Sequence, residues 1–254
     1  MELLSIGSDA KTPKGEKHNV LTAICYLAPV DLAGVGNVCG HASEACAADC
    51  IFYAGHGETK QVQQVRIDRT RLFMLDRSTF MTRLLFELAR FERKADKAGM
   101  LGAVRLNGTS DVKWEGIKVR VNGEIVADNI MQLFPRLQFY DYTAWPYERR
   151  PLERLPLNYD ITYSRKEKRE REVITNLANY RRVAVVFHTR KGQPLPRTYN
   201  SFEVIDGDDS DCRFLDDTNV IVGLRAKGRG RKDTTGFVVP VCATCGEVAD
   251  HSHN

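Results

Sequence analysis

Short strand-like runs alternate with helical patterns along most of this chain. Eight runs rich in Val, Ile, Tyr and Phe are typical of β-strands, and they cover residues 20–27, 102–106, 137–142, 160–163, 183–187, 202–205, 220–224 and 236–241. Apolar residues at helical spacing predict helices over 62–97, 128–133 and 165–180, with Ser78 capping a second helix inside the first of these stretches. This alternation predicts an α/β fold whose parallel sheet forms a partial or complete βα barrel, followed from about residue 190 by a β-rich C-terminal segment.

Length and composition favour one ordinary globular unit. The 254 residues, 43% of them hydrophobic, predict a single α/β domain over 1–254, with a polar N-terminal segment (1–18) and a Cys/His tail (242–254). The formal charge of +4 is too small to indicate nucleic-acid binding by itself. Seven cysteines cannot all pair within one chain. We see no signal peptide and no bilayer-length apolar run, so we expect a cytoplasmic protein with reduced cysteines.

Three cysteines within twelve residues, Cys39, Cys46 and Cys50, follow the first predicted strand. Cys46 and Cys50 are one helical turn apart, and a glycine-containing step separates Cys39 from them. Three thiolates without a fourth partner are what an iron–sulfur cluster with one open iron requires. Structural zinc takes four ligands, so it would need His41, His56 or a distant residue in addition. Both metals remain open at this stage.

The C-terminal tail is a second candidate metal site. Cys242 and Cys245 form a Cys-x2-Cys pair, and His251 and His253 follow it. We consider a zinc knuckle, a redox dithiol, a further ligand to the first cluster, or a functionless terminus for the two histidines. The remaining Cys25 and Cys212 are interpreted as small buried hydrophobes.

Polar residues follow several of the predicted strands. In a βα barrel, such positions lie together at the mouth that carries the active site, although the same residue types are also common turn formers. The residues that we predict to line a cofactor or substrate pocket are Asn107, Ser110, Asp111, Asp141, Ser164 and Glu167.

Two charged segments have ordinary explanations. Residues 165–171 mix Lys and Arg with Glu, which is typical of a solvated helix face. Residues 228–236 are basic and glycine-rich, and they suit either a phosphate or a solvated hairpin turn. A P-loop, a nucleophile elbow and a His-Glu-x2-His motif are all missing from the sequence.

The chain resembles the phage protein family catalogued as gene product 88. The resemblance covers nearly the whole chain, through residues 11–17 (KTPKGEK), 25–29 (CYLAP), the three cysteines with 54–57 (AGHG), 105–111 (RLNGTSD), 139–143 (FYDYT), 183–187 (VAVVF), 204–208 (VIDGD) and 222–228 (VGLRAKG). It implies a phage-encoded protein made in the bacterial cytoplasm, and it implies no particular activity.

A looser resemblance is to radical SAM enzymes. These hold a [4Fe-4S] cluster by three cysteines after the first strand of a partial βα barrel and bind S-adenosylmethionine at the open iron. Their Cys-x3-Cys-x2-Cys spacing differs from the Cys-x6-Cys-x3-Cys of this chain. By positional analogy, Asn107, Asp111, Ser164 and Glu167 would hold the methionine and ribose parts of S-adenosylmethionine.

Three hypotheses follow. The first is an iron–sulfur enzyme of radical SAM type with Cys39, Cys46 and Cys50 as ligands and an unknown substrate. The second is a non-catalytic, zinc-stabilised phage accessory protein that binds host protein or nucleic acid. The third is a hydrolase or nuclease that uses Mg²⁺ or Mn²⁺ bound to aspartates, namely Asp111, Asp141, Asp206 and Asp208.

Overall fold

A computed structural model describes residues 1–7, 17–242 and 246–248 of the chain. Its strands are β1 (Leu4–Ile6), β2 (Val20–Cys25), β3 (Leu101–Arg105), β4 (Val119–Val121), β5 (Glu124–Ala127), β6 (Gln138–Thr143), β7 (Tyr159–Ser164), β8 (Val183–Phe187), β9 (Thr198–Tyr199), β10 (Phe202–Asp206), β11 (Ile221–Arg225) and β12 (Val238–Val239). Its α-helices are α1 (Glu44–Ala48), α2 (Lys60–Leu75), α3 (Arg77–Ala98) and α4 (Glu170–Ala178). Every predicted strand run overlaps one of these strands.

A mostly parallel sheet forms the centre of the molecule. Seven neighbouring strands run parallel in the order β2-β3-β6-β7-β8-β11-β10. The short antiparallel strand β1 borders β2, and the two-residue β9 borders β10. Within the described ranges these two edges do not pair, so the sheet is open. The α/β prediction is confirmed, but the complete barrel is wrong, because closure needs the outer parallel strands to pair and each is bordered by an antiparallel strand instead.

The parallel sheet divides at its carboxyl edge between β7 and β8. These strands pair only at Tyr163–Val183 and Ser164–Ala184. Beyond this point β12 takes the place of β7 beside β8, pairing through Val238 with Val186. Because ligands of open parallel sheets bind where neighbouring strands diverge at their carboxyl ends, this division is a natural position for a site.

Most of the helical residues in the hydrophobic core come from helix α3. Phe80, Leu84, Leu88 and Phe91 recur at helical spacing and are fully buried against the first half of the sheet. This stripe is the pattern that predicted the helix. None of the helices in the described ranges is long and apolar enough to cross a membrane.

Several predicted boundaries differ from the structure. Asp76, rather than Ser78, begins α3, because its carboxylate accepts a hydrogen bond from the Thr79 amide at 3.0 Å. The predicted helix at 165–180 begins only at Glu170, after Lys168 adopts a left-handed φ of 59°. The predicted helix at 128–133 is a 3₁₀ turn, Ile130–Leu133.

Sequence analysis missed four strands, β1, β4, β5 and β9. The β4–β5 hairpin carries a recognisable signal, because Asn122-Gly123 is the dipeptide that two-residue hairpin turns prefer. Both residues have positive φ, 51° and 87°, as such a turn requires. β1 lies within the predicted polar segment 1–18, and residues 8–16 of that segment lie outside the described residues.

Candidate functional site

The loops after β2 and β3 meet at the carboxyl edge of the sheet. The Gly108 amide donates to the Cys25 carbonyl at 2.9 Å. A Cβ atom on Gly108 would lie 2.5 Å from the Tyr26 ring, so only glycine permits this approach. In the same place the Cys39 thiol points at the Thr109 carbonyl at 3.8 Å. The cysteine loop is therefore held against the loop that carries the predicted pocket residues.

Glu167, which follows β7, anchors the helix of the cysteine segment. Its carboxylate accepts from the Ser43 hydroxyl at 2.6 Å and from the Ala45 amide at 3.3 Å. Ser43 in turn accepts from the Cys46 amide at 3.2 Å, which makes it the N-cap of α1. Glu167 is thus a positioning residue for the cysteines in this structure.

The three cysteines occupy different local structures. Cys39 is buried in the loop before α1, and Cys46 lies within α1 with intermediate exposure. Cys50 comes after the end of α1, where its sulfur accepts from the Phe52 amide at 3.5 Å and begins a 3₁₀ turn. Although Cys46 and Cys50 are spaced one helical turn apart, they do not share a helix, because α1 ends at Ala48.

The thiols of the cysteine segment lie close enough to influence one another. Burial raises the pKa of Cys39 to about 12, and negative charge on Cys50 and Cys46 raises it further. Burial raises the pKa of Cys50 to about 11, and charge on Cys46 acts in the same direction. Among the described residues, no three His, Cys, Asp or Glu side chains are arranged as they stand to hold a metal ion.

A buried lysine lies within electrostatic reach of Cys50. Lys166 is 2% exposed, and its ammonium donates to the Ser164 hydroxyl at 2.7 Å and the Ser164 carbonyl at 3.0 Å. Its positive charge lowers the pKa of both Cys50 and Asp111, although burial dominates and raises both values. Throughout the described ranges no carboxylate forms an ion pair with Lys166. A buried ammonium without an ion-pair partner is unusual in a folded protein.

The pocket residues predicted after β3 and β6 form a buried hydrogen-bond network instead of lining an open cavity. The side-chain Oδ1 of Asn107 accepts from the Ser110 hydroxyl, the Val112 amide and the Trp114 indole, each at 2.9–3.0 Å. The backbone amide of Asn107 donates to Asp141 at 2.7 Å, and its side-chain amide donates to the same carboxylate at 3.2 Å. These bonds fix the loop from 107 to 112.

Arg150 extends this network, and it has two carboxylate partners. Its guanidinium contacts Asp111 at 3.3 Å and Glu115 at 2.7 Å, and it donates to the Tyr159 hydroxyl at 3.0 Å. Tyr159 donates in turn to Asp141 at 2.8 Å. Burial raises the pKa of Asp141 to about 7, against the opposing effect of its hydrogen bonds from Tyr159 and Asn107.

Trp145 and His41 cover the network on the side of the cysteine loop. Their rings lie 3.9 Å apart between centroids, and the Trp145 indole donates to the Asp111 carbonyl at 3.2 Å. Burial and the charges of Arg149 and Arg169 lower the pKa of His41. The side chain of His56, the other candidate zinc ligand, lies outside what the structure describes.

The aspartates after β10 belong to a separate ion-pair network. Asp206 and Asp208 both contact Arg225, at 2.8 and 3.2 Å, and Asp208 also pairs with Lys227 at 2.6 Å. Asp111, by contrast, pairs with Arg150. The described residues therefore do not bring the four aspartates of the hydrolase hypothesis into one metal-binding group.

A cavity of about 790 Å³ opens beside α1. Its lining comes from the cysteine segment and the basic turn Gly228–Lys232 with the residues after it: Ala45, Ala48, Asp49, Tyr53, Glu58, Gln63, Gly228, Arg229, Lys232, Asp233, Thr234 and Thr235. None of the six predicted pocket residues is among them. The position of this cavity is therefore the largest difference between the predicted pocket and the structure.

Only part of the Cys/His tail is described. The Cys242 amide donates to the Glu247 carbonyl at 2.8 Å, and its carbonyl accepts from the Gly246 amide at 3.0 Å. Val241 and Val248 form an antiparallel bridge. Cys245, His251 and His253 lie outside the described residues, and the tail site stays a prediction.

Two buried cations at the carboxyl edge escaped the sequence analysis. The segment 165–171 is not simply a solvated helix face, because Lys166 within it is buried. Its position two residues after the end of β7 was the available signal, since the other predicted pocket residues lie at such strand ends. Arg150 lies between two 3₁₀ turns, and we find no sequence signal that marks it as buried.

Comparison with known proteins gives a family and no function. No curated protein and no solved structure matches the chain. The model of one family, described as gene product 88, matches residues 3–251. Since this match covers nearly all of the sequence, the chain belongs to the gene product 88 family of phage proteins.

Proposed function

We propose that this protein is an iron–sulfur protein in which Cys39, Cys46 and Cys50 ligate a [4Fe-4S] cluster at the carboxyl edge of the sheet. Each thiolate would bind a different iron atom, so the three sulfurs need to line a common space rather than converge on one point. The loops that carry them are held together by Glu167 and by the contact of Cys39 with Thr109.

Lys166 is the observation that carries this proposal. A buried charge is costly unless an opposite charge compensates for it. Lys166 is 2% exposed, lies within electrostatic reach of Cys50 and Asp111, and forms no ion pair with a carboxylate in the described ranges. A cluster held by three thiolates is anionic, so it would supply the missing negative charge. The donor chemistry and the charge of the site therefore fit the same group.

The chain's residues would have distinct tasks around such a cluster. Glu167 and Ser43 orient the helix of Cys46, and Lys166 compensates the charge on the thiolates. The Trp145 ring and its His41 partner would restrict water on the side of Cys39. When bound, a three-cysteine cluster supplies an iron with an open coordination position, at which a small molecule is held or an electron is transferred.

S-adenosylmethionine is the ligand of that open iron in the radical SAM form of the proposal. The polar atoms of Asn107, Asp111 and Asp141 already bond to protein groups, so they would act by holding the loops of the site. The cavity beside α1 offers more room for a ligand than the surroundings of these residues.

Anaerobic purification followed by visible spectroscopy and analysis of iron, sulfide and zinc tests the proposal. We expect iron and sulfide in the protein, and we expect both to be lost in Cys46→Ala. Cys212→Ala is the matched control, because Cys212 is buried away from the cysteine segment beside β3 and β6. Full iron content in Cys46→Ala would refute the assignment. About one zinc per chain without iron would favour the structural zinc alternative instead.

Cleavage of S-adenosylmethionine by the reduced protein tests the catalytic form separately. Formation of 5′-deoxyadenosine that depends on Cys46 would support a radical SAM activity. A protein that holds the cluster without this product would be an iron–sulfur protein of another kind.

A further inference from the structure

The cavity beside α1 has an unusual wall, made by a basic turn packed tightly on the cysteine segment. Gly228 has a φ of 53°, and a Cβ atom there would lie 3.2 Å from the Cβ of Ala54. Glycine therefore allows the turn Gly228–Lys232 to approach the segment that carries Tyr53. This approach places two cations, Arg229 and Lys232, on the cavity wall.

These two cations differ from others on the same loop. Arg225 and Lys227 form ion pairs with Asp206 and Asp208. Arg229 instead lies over the ring of Tyr53, with 4.2 Å between its guanidinium carbon and the ring centroid. In the part of the chain that the structure describes, neither Arg229 nor Lys232 is within ion-pair distance of a carboxylate.

Three acidic residues, Asp49, Glu58 and Asp233, line the cavity. Asp233 accepts hydrogen bonds from the Thr235 amide, the Thr235 hydroxyl and the Val238 amide, so it shapes the loop after the basic turn. Asp49 and the Thr234 hydroxyl remain on the wall as hydrogen-bonding groups. The cavity thus combines an aromatic–guanidinium pair, a cation, and neighbouring oxygen acceptors.

We propose that this cavity binds a nucleotide unit, with the base stacked on the Tyr53–Arg229 pair and the phosphate held by Lys232. Aromatic rings and guanidinium groups are the platforms on which proteins stack bases, and ammonium groups bind phosphate as point charges. The Asp49 carboxylate is placed to accept a hydrogen bond from a ribose hydroxyl or a base amino group. The volume of about 790 Å³ is in the range of small-ligand sites.

The nucleotide unit has two chemical sources, a free nucleotide or one residue of a nucleic-acid strand. Two further exposed cations, Arg190 and Lys191, follow β8. The His188 ring contacts the Arg231 carbonyl at 2.7 Å, which holds the start of that loop against the basic turn. A nucleic-acid strand that leaves the cavity in this direction would meet this additional positive charge.

Titration with each ribonucleoside triphosphate by calorimetry, and with a labelled single strand about ten nucleotides long by fluorescence anisotropy, tests the proposal. We expect binding of at least one of these probes, weakened about tenfold or more by Arg229→Ala or Lys232→Ala. Both side chains are exposed, so neither variant should affect folding. Tighter binding of the single-stranded nucleic acid than of any mononucleotide would show that the bound nucleotide unit belongs to a nucleic acid.

Arg231→Ala is the matched control. Arg231 carries the same charge on the same turn, but it does not line the cavity, and its guanidinium donates to the Ala226 carbonyl. Mononucleotide binding by this variant should stay within about threefold of the unsubstituted protein. If the protein binds the single-stranded nucleic acid but no mononucleotide, Arg229→Ala should weaken that binding more than Arg231→Ala does. Equal losses in all three variants would indicate non-specific attraction and would overturn the proposal, as would the absence of binding by every probe.

Discussion

Arg150 and Lys166 are both buried cations at the carboxyl edge of the sheet, and their surroundings are opposite. Arg150 contacts Asp111, Glu115 and the Tyr159 hydroxyl, so its charge is balanced and its donors are used. Lys166 donates to Ser164 and to the Arg165 carbonyl, and it lies within electrostatic reach of Cys50. The first arrangement is complete within the protein, and we propose that a bound anion completes the second. The first is a structural network, and the second has the features of the ligand site that we propose.

The largest difference between the two regions should appear in stability. Arg150→Met leaves Asp111 and Glu115 without their buried partner, and we expect it to lower the free energy of unfolding by about 3–5 kcal/mol. Lys166→Met removes a cation that lacks a carboxylate partner, so we expect a change of less than about 1 kcal/mol in the metal-free protein. Urea unfolding of both variants measures this contrast. Equal losses would show that the two cations have the same structural role.

The pH dependence of stability sharpens the description of the network. The pKa of Asp141 rises from 3.8 to about 7 on folding, so the folded protein favours its protonated form. This contribution to stability is fully present below pH 4 and is lost as the pH rises through 7, by at most about 4 kcal/mol. Asp141→Asn should therefore gain stability relative to the unsubstituted protein over this interval. Parallel stability curves from pH 4 to 8 would contradict the shift.

A smaller effect is expected where the network of β7 meets the cysteine segment. Glu167→Ala removes the acceptor for Ser43 and Ala45, and should cost about 1–2 kcal/mol and weaken retention of the cluster. Glu148→Ala, an exposed change, should cost less than about 0.5 kcal/mol. Thermal unfolding and iron content measure both effects. Unchanged iron retention in Glu167→Ala would remove its positioning role.

The last prediction concerns access to the thiols. In metal-free protein, Cys46 should react with iodoacetamide before Cys39, because Cys39 is 9% exposed and Cys46 is more open to solvent. A bound cluster should protect both. Mass spectrometry of peptides from both forms measures the order of modification. Rapid alkylation of Cys46 in the iron-loaded protein would show that this thiol is not a ligand.

The sequence predicts the strands and the large helices well, because alternation and helical spacing are local patterns. It also places the cysteine loop correctly after the first parallel strand. It does not predict that the sheet stays open, because β1 and β9 are only three and two residues long and carry weak signals.

The roles of the polar strand-end residues are harder to predict than their positions. Asn107 and Asp141 were expected to face a ligand, and they bond to each other and to Trp114 and Tyr159. Whether such a group faces a ligand or a neighbouring side chain depends on tertiary contacts. Lys166 shows the converse case, since a lysine in a charged run is buried, with its ammonium 5.5 Å from the ring centroid of Phe237.

The most direct test of the account compares unsubstituted protein with Lys166→Met after anaerobic iron–sulfur reconstitution. Iron and sulfide per chain, the visible spectrum and the reduction potential are measured for both. We predict that the unsubstituted protein holds a cluster, and that Lys166→Met holds it less stably and at a lower reduction potential, because the compensating charge is gone. Failure of the unsubstituted protein to bind iron would contradict the proposal that Lys166 compensates the charge of an anionic cluster. Identical clusters with identical reduction potentials in both proteins would contradict it as well.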